Sequence, residues 1–298
     1  MSAPERHTIS RIRQLLEESG LQPRHDLGQN FLVDLNLLDL IVQAAELTAD
    51  DVVLEVGTGT GSLTGEIARR AGQLIAVEYD PEMAKLTALE VADQTNVTLL
   101  NQDVLRNKNH LADEVLQALR SILGIAQQPN LKLVANLPYN AATPIISNLI
   151  ATDLPWTRMV VTIQLELAER MTAVPKTGDY SALTVWLQSQ CRLQILRKLP
   201  PTVFWPKPKV DSAIVLIDRD VIRQKSITNR AAFHEFLRDV FTQRRKHLLG
   251  VVARLLADRI ERPTLEAIHH AFGWPTTVRA EELTVEQFVA YHNRLMSH

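Results

Sequence analysis

Residues with evident chemistry stand at, or just past, the ends of successive apolar runs. Gly57 follows "VVLEV", Glu78 closes "LIAVE", Asp103 lies in "NQDV" after "VTLL", and Asn136 closes "LKLVAN". In "VVLEVGTGTGSLT", Gly57, Gly59 and Gly61 lack the Cβ atoms that keep a ligand away from the backbone, and the helix that follows offers free N–H groups. Glu78 comes 21 residues after Gly57, where a carboxylate accepts hydrogen bonds from ribose hydroxyls. Glycines with the right acid behind them indicate a nucleoside cofactor. Their G-x-G-x-G spacing, with Asp103 placed to accept from an adenine amino group, favours S-adenosylmethionine over a dinucleotide.

The same strand-end series brings "NLPYN", residues 136–140, to the methyl donor. The exocyclic amine of a base is a poor nucleophile, because its lone pair is delocalised into the ring. Acceptors on its two N–H bonds favour a pyramidal nitrogen and aim the lone pair. The Asn136 side-chain oxygen is one such acceptor and the Leu137 carbonyl a second, because Pro138 biases Leu137 towards an extended backbone. The Tyr139 ring can stack on a base flipped from its helix or taken from a single strand. A neutral thioether leaves, so positioning matters more than a strong base.

These residues need strands that end together. Apolar strands alternate with helical segments from "VVLEV" through "MVVTIQ", which implies a parallel sheet covered on both faces. "RLQILRKL" and "SAIVLID" read as two further strands around the proline-rich "PPTVFWPKPKVD". From about residue 223 only helical patterns remain, so the expected boundaries are an extension at 1–22, a sheet domain at 23–222 and a helical domain at 223–298. "TISRIRQLLEESG" is an amphipathic stretch that stops at Gly20 and carries no assigned role.

The 298 residues have ordinary globular composition, with no apolar run long enough to span a membrane, and the acids among the first twenty residues argue against a transit peptide. Cys191 is the only cysteine, and the neighbours His269 and His270 have no ligand pattern beside them, so neither a disulfide framework nor a metal site is expected. A cytoplasmic monomer is the expectation. The net charge of −2 hides an asymmetry. Residues 1–150 hold 11 Lys/Arg against 19 Asp/Glu, whereas 151–298 hold 21 against 15, and 219–259 alone has ten basic and four acidic residues. Such a basic half points to a polyanionic partner, with Arg244, Arg245 and Lys246 of "QRRKHLL" as phosphate contacts and Lys207 and Lys209, flanking Pro208, beside the pocket.

"DLGQNFLVD", "VLEVGTGTGSLT", "AVEYD", "NQDVL", "VANLPYN", "VFWPKPKVDSAIV" and "FTQRRKHLL" resemble, in order, the motifs of the KsgA-type ribosomal RNA small-subunit adenine dimethyltransferases. The resemblance covers roughly residues 24 to 296. It implies a Rossmann-like class I S-adenosylmethionine-dependent methyltransferase sheet of seven mostly parallel strands, with a smaller C-terminal all-α domain that reads rRNA. It implies N6,N6-dimethylation of two adjacent adenosines near the 3′ end of small-subunit (16S) rRNA, within an immature ribosomal subunit. Asn30 and Leu32 then belong to a loop closing over the cofactor's methionine end, Gly57, Glu78 and Asp103 line its site, Asn136 and Tyr139 hold the adenine, and Phe204 supplies a second aromatic wall. His25 and Asp26 depart from positions that are often Lys/Arg and Phe, and Thr58 from a frequent proline. The alternatives are a large-subunit (23S) adenine dimethyltransferase of the macrolide-resistance type, against which "KVDSA" and "FTQRRK" stand, and a non-catalytic assembly factor, which would be expected to lose residues of the glycine turn or of 136–139.

Overall fold

The computed structural model describes residues 8–24, 28–125 and 130–298; His25 and Asp26 lie outside them. Seven strands form the central sheet: β1 Val52–Val56, β2 Gln73–Glu78, β3 Val97–Asn101, β4 Leu131–Asn136, β5 Trp156–Gln164, β6 Cys191–Leu199 and β7 Ser212–Arg219. Their order is β3-β2-β1-β4-β5-β7-β6. Pairings β1–β2, β2–β3, β1–β4 and β4–β5 are parallel, and β5–β7 is antiparallel. Every residue of β1 is buried, as expected of a central parallel strand covered on both faces. The order reverses around β1, and ligands of open α/β sheets lie beyond the carboxyl ends of strands at such a switch point.

The helices before β5 are α1 Ile9–Glu18, α2 Leu35–Ala45, α3 Ser62–Ala68, α4 Pro81–Glu90, α5 Asp113–Leu123 and α6 Ala142–Ala151. Local chemistry sets their ends. Asp34 caps α2 by accepting from the Asn36 and Leu37 N–H groups, and Asp80 caps α4, with Pro81 in its first turn. Leu38, Ile41 and Val42 of α2 and Leu63 and Ile67 of α3 pack with Val53, Leu74, Val134 and Val160 of the sheet. At the opposite end of the strands from Glu78 and Asn136, the buried Lys132 ammonium donates to Asp51 Oδ2 at 2.8 Å and to the Glu46 carbonyl at 2.7 Å. Deleting either charge there leaves the other buried without its partner.

The chain packs as two compact units. One comprises residues up to Ala168 together with Gln194–Asp218, the other Glu169–Leu193 together with Arg219–His298. These limits differ from a single cut near 222, which marks where strand patterning stops. Between β5 and β6 the chain forms α7 Leu165–Met171 and α8 Ala182–Gln188, and α8 packs with the C-terminal helices: Trp186 stacks on His234 with ring centroids 4.2 Å apart. The remaining helices are α9 Val221–Lys225, α10 Arg230–Phe241, α11 Leu248–Leu255, α12 Arg262–Ala271 and α13 Val285–Met296. Residues 230–260 read as helical throughout, yet α10 stops at Phe241, and α11 begins only after turns that carry Arg244 to Lys246. The Leu248 N–H donates instead to the Val278 carbonyl at 2.8 Å.

Candidate active site

One cavity of about 230 Å³ opens at the strand ends. Asn30, Leu32, Gly57, Gly59, Glu78, Asp103, Asn136, Leu137 and Tyr139 all line it. Two glycines are required by the backbone they adopt. Gly57 has φ 77° and Gly59 φ 56°, in the left-handed region that L side chains rarely enter. A Cβ on Gly57 would come 3.2 Å from Pro138 Cδ, and one on Gly59 would come 2.9 Å from Phe31 Cε1. The glycine turn is thus wedged between the 136–139 turn and the loop before α2.

Glu78 is 7% exposed. Its Oε2 accepts from the Gly59 N–H at 2.9 Å, and its Oε1 accepts from the Asp80 N–H at 2.9 Å. Burial pushes this carboxyl above its ordinary range, while those two backbone donors pull it back. The Thr58 hydroxyl also donates to Oε2, at 3.4 Å, so Oε1, with one donor, is the oxygen that keeps capacity for a ligand. Asp103 Oδ1 accepts from the Leu105 N–H at 2.8 Å, a local turn that holds the exposed carboxylate at the cavity edge.

The Asn136 side-chain nitrogen donates to the Asn30 carbonyl at 2.9 Å. A carbonyl only accepts, so the amide must present its nitrogen there, which leaves Oδ1 as the acceptor. Leu137 is 2% exposed and its N–H donates to the Thr162 carbonyl at 3.1 Å, fixing the turn to β5. The Tyr139 hydroxyl shares a 2.5 Å hydrogen bond with Ser212 Oγ. Burial raises the phenol's pKa and Ser212 opposes the shift, so Tyr139 is a neutral, anchored ring.

Phe204 has a different place from the one its motif implies. It is 1% exposed, belongs to the core with Leu38 and Ile41, and does not line the cavity. Its two-residue strand Phe204–Trp205 pairs with Phe31–Leu32, so the backbone of one segment supports the wall that the other provides. The aromatic side chains on the cavity are Phe31, Tyr79 and Tyr139. Lys207 and Lys209 are exposed on the loop just past that strand and also do not line the cavity. Arg244, in the helical unit, is engaged in that unit's own packing: Nη1 donates to the carbonyls of Gly178 at 2.7 Å and Tyr180 at 3.2 Å, and Nε lies 3.6 Å from Glu281. Arg245 and Lys246 are exposed. Three consecutive cations in a turn cannot share one direction, and here the first is tied to carbonyls of its own unit.

Sequence reading passed over two further cavity residues. Glu55 is 1% exposed and its Oε2 has no hydrogen-bond partner. Burial pushes its carboxyl up to about 8; the Thr64 hydroxyl pulls the other way, and the Glu78 charge adds to the rise. The Gln102 side-chain nitrogen is likewise buried and unpartnered. An acid inside "VVLEV" was the available signal for the first; Gln102 gave none beyond its place beside Asp103. Buried polar atoms left unpaired against a cavity are what a site for a polar ligand leaves behind. With the glycine cradle and Glu78, they fit a nucleoside bearing an amino-acid tail. Among the described residues, no group of three or more His, Cys, Asp or Glu is placed to hold a metal, and no helix is long and apolar enough to cross a membrane.

Sheet order, glycine turn and acidic strand ends together define a class I S-adenosylmethionine-dependent methyltransferase. The model of the ribosomal RNA adenine dimethylase family matches residues 20–296, and the chain belongs to that family. It is 38% identical to the ribosomal RNA small subunit methyltransferase A of Lactiplantibacillus plantarum, over 96% of this chain and 94% of that protein. To the protein of the same name from Geobacillus thermodenitrificans it is 35% identical, over 97% and 96%. Among crystal structures, the fold is similar to that of a dimethyladenosine transferase from Plasmodium falciparum, with a TM-score of 0.72 at 23% identity over 89% of this chain and 96% of that one. It is also similar to the 23S rRNA methyltransferase ErmE, with a TM-score of 0.61 at 26% identity over 90% and 100%.

Proposed function

We propose that this chain transfers methyl groups from S-adenosylmethionine to N6 of two adjacent adenosines near the 3′ end of small-subunit (16S) rRNA, giving N6,N6-dimethyladenosine. It acts in the cytoplasm, as a monomer, on an immature small subunit. The observation that carries the reading is the shared wall: the Asn136 to Tyr139 turn and the Glu78 strand end open on one cavity. The near-full-length likeness to small subunit methyltransferases supports the choice of RNA.

When bound, S-adenosylmethionine supplies an electrophilic methyl group on a sulfonium. Glu78 offers its remaining lone pairs to ribose hydroxyls, and Asp103 offers its second oxygen to the adenine amino group. Asn30 and Leu32 close the loop over the amino-acid tail. On the substrate side, Asn136 Oδ1 and the Leu137 carbonyl accept the two N6–H bonds, and the Tyr139 ring stacks on the base. Preorganised acceptors of this kind cost no reorganisation at the moment of reaction. Neither an amide oxygen nor a carbonyl is a base, so the proton shed by the methylated nitrogen goes to water. Lys207 and Lys209 guide the backbone of the flipped nucleotide, and Arg245 and Lys246 of the helical unit bind rRNA phosphates.

The test is methylation of small subunits purified from cells lacking the mark, with purified large subunits and bare 23S rRNA as parallel substrates. Nucleoside mass spectrometry should show dimethyladenosine in small-subunit rRNA alone. Product in 23S rRNA would favour the macrolide-resistance reading, and no product on any RNA the non-catalytic one.

A further inference from the structure

We propose that helix α1, which precedes the segment matched by the family model, belongs to the cofactor site as a positioning element that sets Phe31 against the glycine turn. The family model begins at residue 20, and α1 ends at Glu18. Helix α1 is capped at Thr8, whose side chain accepts from the Arg11 N–H, and it runs for ten residues. A helix of that length is marginal in water on its own, so its order comes from what it docks on. Ile12 and Leu16, one turn apart, are each 1% exposed and pack with Phe31, Met83 and Leu86. Met83 and Leu86 belong to α4, the helix that follows Glu78.

Phe31 joins this cluster to the site. It is 8% exposed, lines the cavity, and leaves no room for a Cβ on Gly59. It pairs with Trp205 in register and stacks on it, with centroids 6.4 Å apart and planes at 26°. The Arg13 guanidinium sits over the outer part of that stack, 5.5 Å from the Trp205 ring. Helix α1 therefore holds the aromatic pair through two apolar side chains and a cation. The loop also has a polar tie: the Gln29 side chain accepts from the Arg24 N–H at 2.8 Å and donates to Asp80 Oδ2 at 2.9 Å. Asp80 is the residue whose N–H holds Glu78. Movement of α1 thus reaches Gly59 through Phe31, and Glu78 through α4.

A helix that merely covers apolar surface would affect stability and leave ligand affinity alone. Leu16→Ala and Arg13→Ala should raise the Kd of S-adenosylmethionine and of the thioether product about tenfold for Leu16 and less for Arg13, the middle and lower parts of the range for a change acting through packed neighbours. With cofactor saturating, kcat should stay within about twofold. Leu16→Met, which conserves volume, should restore affinity. In the wild-type protein, cofactor should slow hydrogen exchange in residues 9–18 as well as in 28–33. Unchanged Kd in a Leu16→Ala protein of lowered melting temperature would overturn the proposal. If that variant fails to fold, exchange in 9–18 of the wild type that ignores cofactor overturns it equally. The inference rests on reading the cavity as the cofactor site; failure of that reading shows separately, as wild-type protein that binds no cofactor by calorimetry.

Discussion

The Asn136 amide and the Asn30 carbonyl, 106 residues apart in sequence, meet in a 2.9 Å hydrogen bond at the mouth of the cavity. The side chain proposed to orient the substrate amine is thereby also the fastener of the loop proposed to cover the cofactor. Replacing it should disturb both ligands, but unequally. Asn136→Ala should lower the single-turnover rate by about a hundredfold, the loss expected when a preorganised polar group is removed from a reacting centre. Cofactor affinity should fall by less, about 1 kcal/mol for a neutral hydrogen bond. Rates measured at saturating cofactor and RNA isolate the first effect, and a wild-type rate there would remove Asn136 from the chemistry.

Glu78 offers a test of the cofactor alone. Its carboxylate already accepts from Gly59 and Asp80, so alanine leaves two backbone donors unpaired besides removing the proposed ligand contact. Glu78→Ala should weaken S-adenosylmethionine by roughly 1.5–3 kcal/mol, the range for hydrogen bonds to a charged group. Titration calorimetry on both proteins decides it, and equal affinities would place the ribose elsewhere.

Period and punctuation were enough to read all seven strands, because most are apolar runs and β6, with Arg192, Gln194, Arg197 and Lys198 among its apolar residues, shows a strand's mixed pattern instead. The strand-end residues were legible for the same reason: Gly57, Glu78, Asp103 and Asn136 stand where parallel strands deliver them to one edge. Phe204 was not legible, because an aromatic in a two-residue strand faces a core or a cavity with equal ease in sequence. Only its neighbours Leu38 and Ile41 decide that it faces inward. Arg244 was hidden likewise, since nothing in "QRRK" says which cation will find the Gly178 and Tyr180 carbonyls. The place of α8 escaped too, because a short helix with four consecutive buried residues, Thr184 to Leu187, does not reveal in sequence which unit it will join.

Glu55 makes the stability of the empty protein depend on pH. Its ordinary value is 4.5 and burial raises it to about 8 in the fold. Between those values the folded chain holds a proton that the unfolded chain has released, so stability falls as pH rises. The favourable contribution is complete below 4.5 and gone once pH passes the folded value. Glu55→Gln removes the linkage and should gain on wild type between pH 6 and pH 9, by about 3 kcal/mol at most. Melting temperatures of both proteins without cofactor, measured at the two pH values, provide the check; a constant gap would mean that Glu55 is ionised in the fold.

The turn between α10 and α11 separates two uses of positive charge that lie side by side in sequence. The Arg244 guanidinium is bonded to two carbonyls and lies near Glu281, whereas Arg245 and Lys246 are exposed. An adenine pocket cannot select two nucleotides in a ribosome, since adenine occurs throughout RNA. Selection must therefore draw on phosphates and the shape of folded rRNA, read by groups outside the cavity. Arg245→Ala with Lys246→Ala should weaken binding to immature small subunits and flatten its dependence on salt, by about 0.7–0.9 in log–log slope for each phosphate that is no longer neutralised. Cofactor affinity should not change, because neither residue lines the cavity. Arg244→Ala should behave differently, lowering the melting temperature while leaving the salt slope near that of wild type. Binding to immature subunits across a salt series, with melting curves for each protein, separates the two. A slope that drops with Arg244→Ala and holds in the Arg245→Ala, Lys246→Ala protein would reverse the assignment; slopes unchanged in every variant would shift the search for phosphate-binding cations to Lys207 and Lys209.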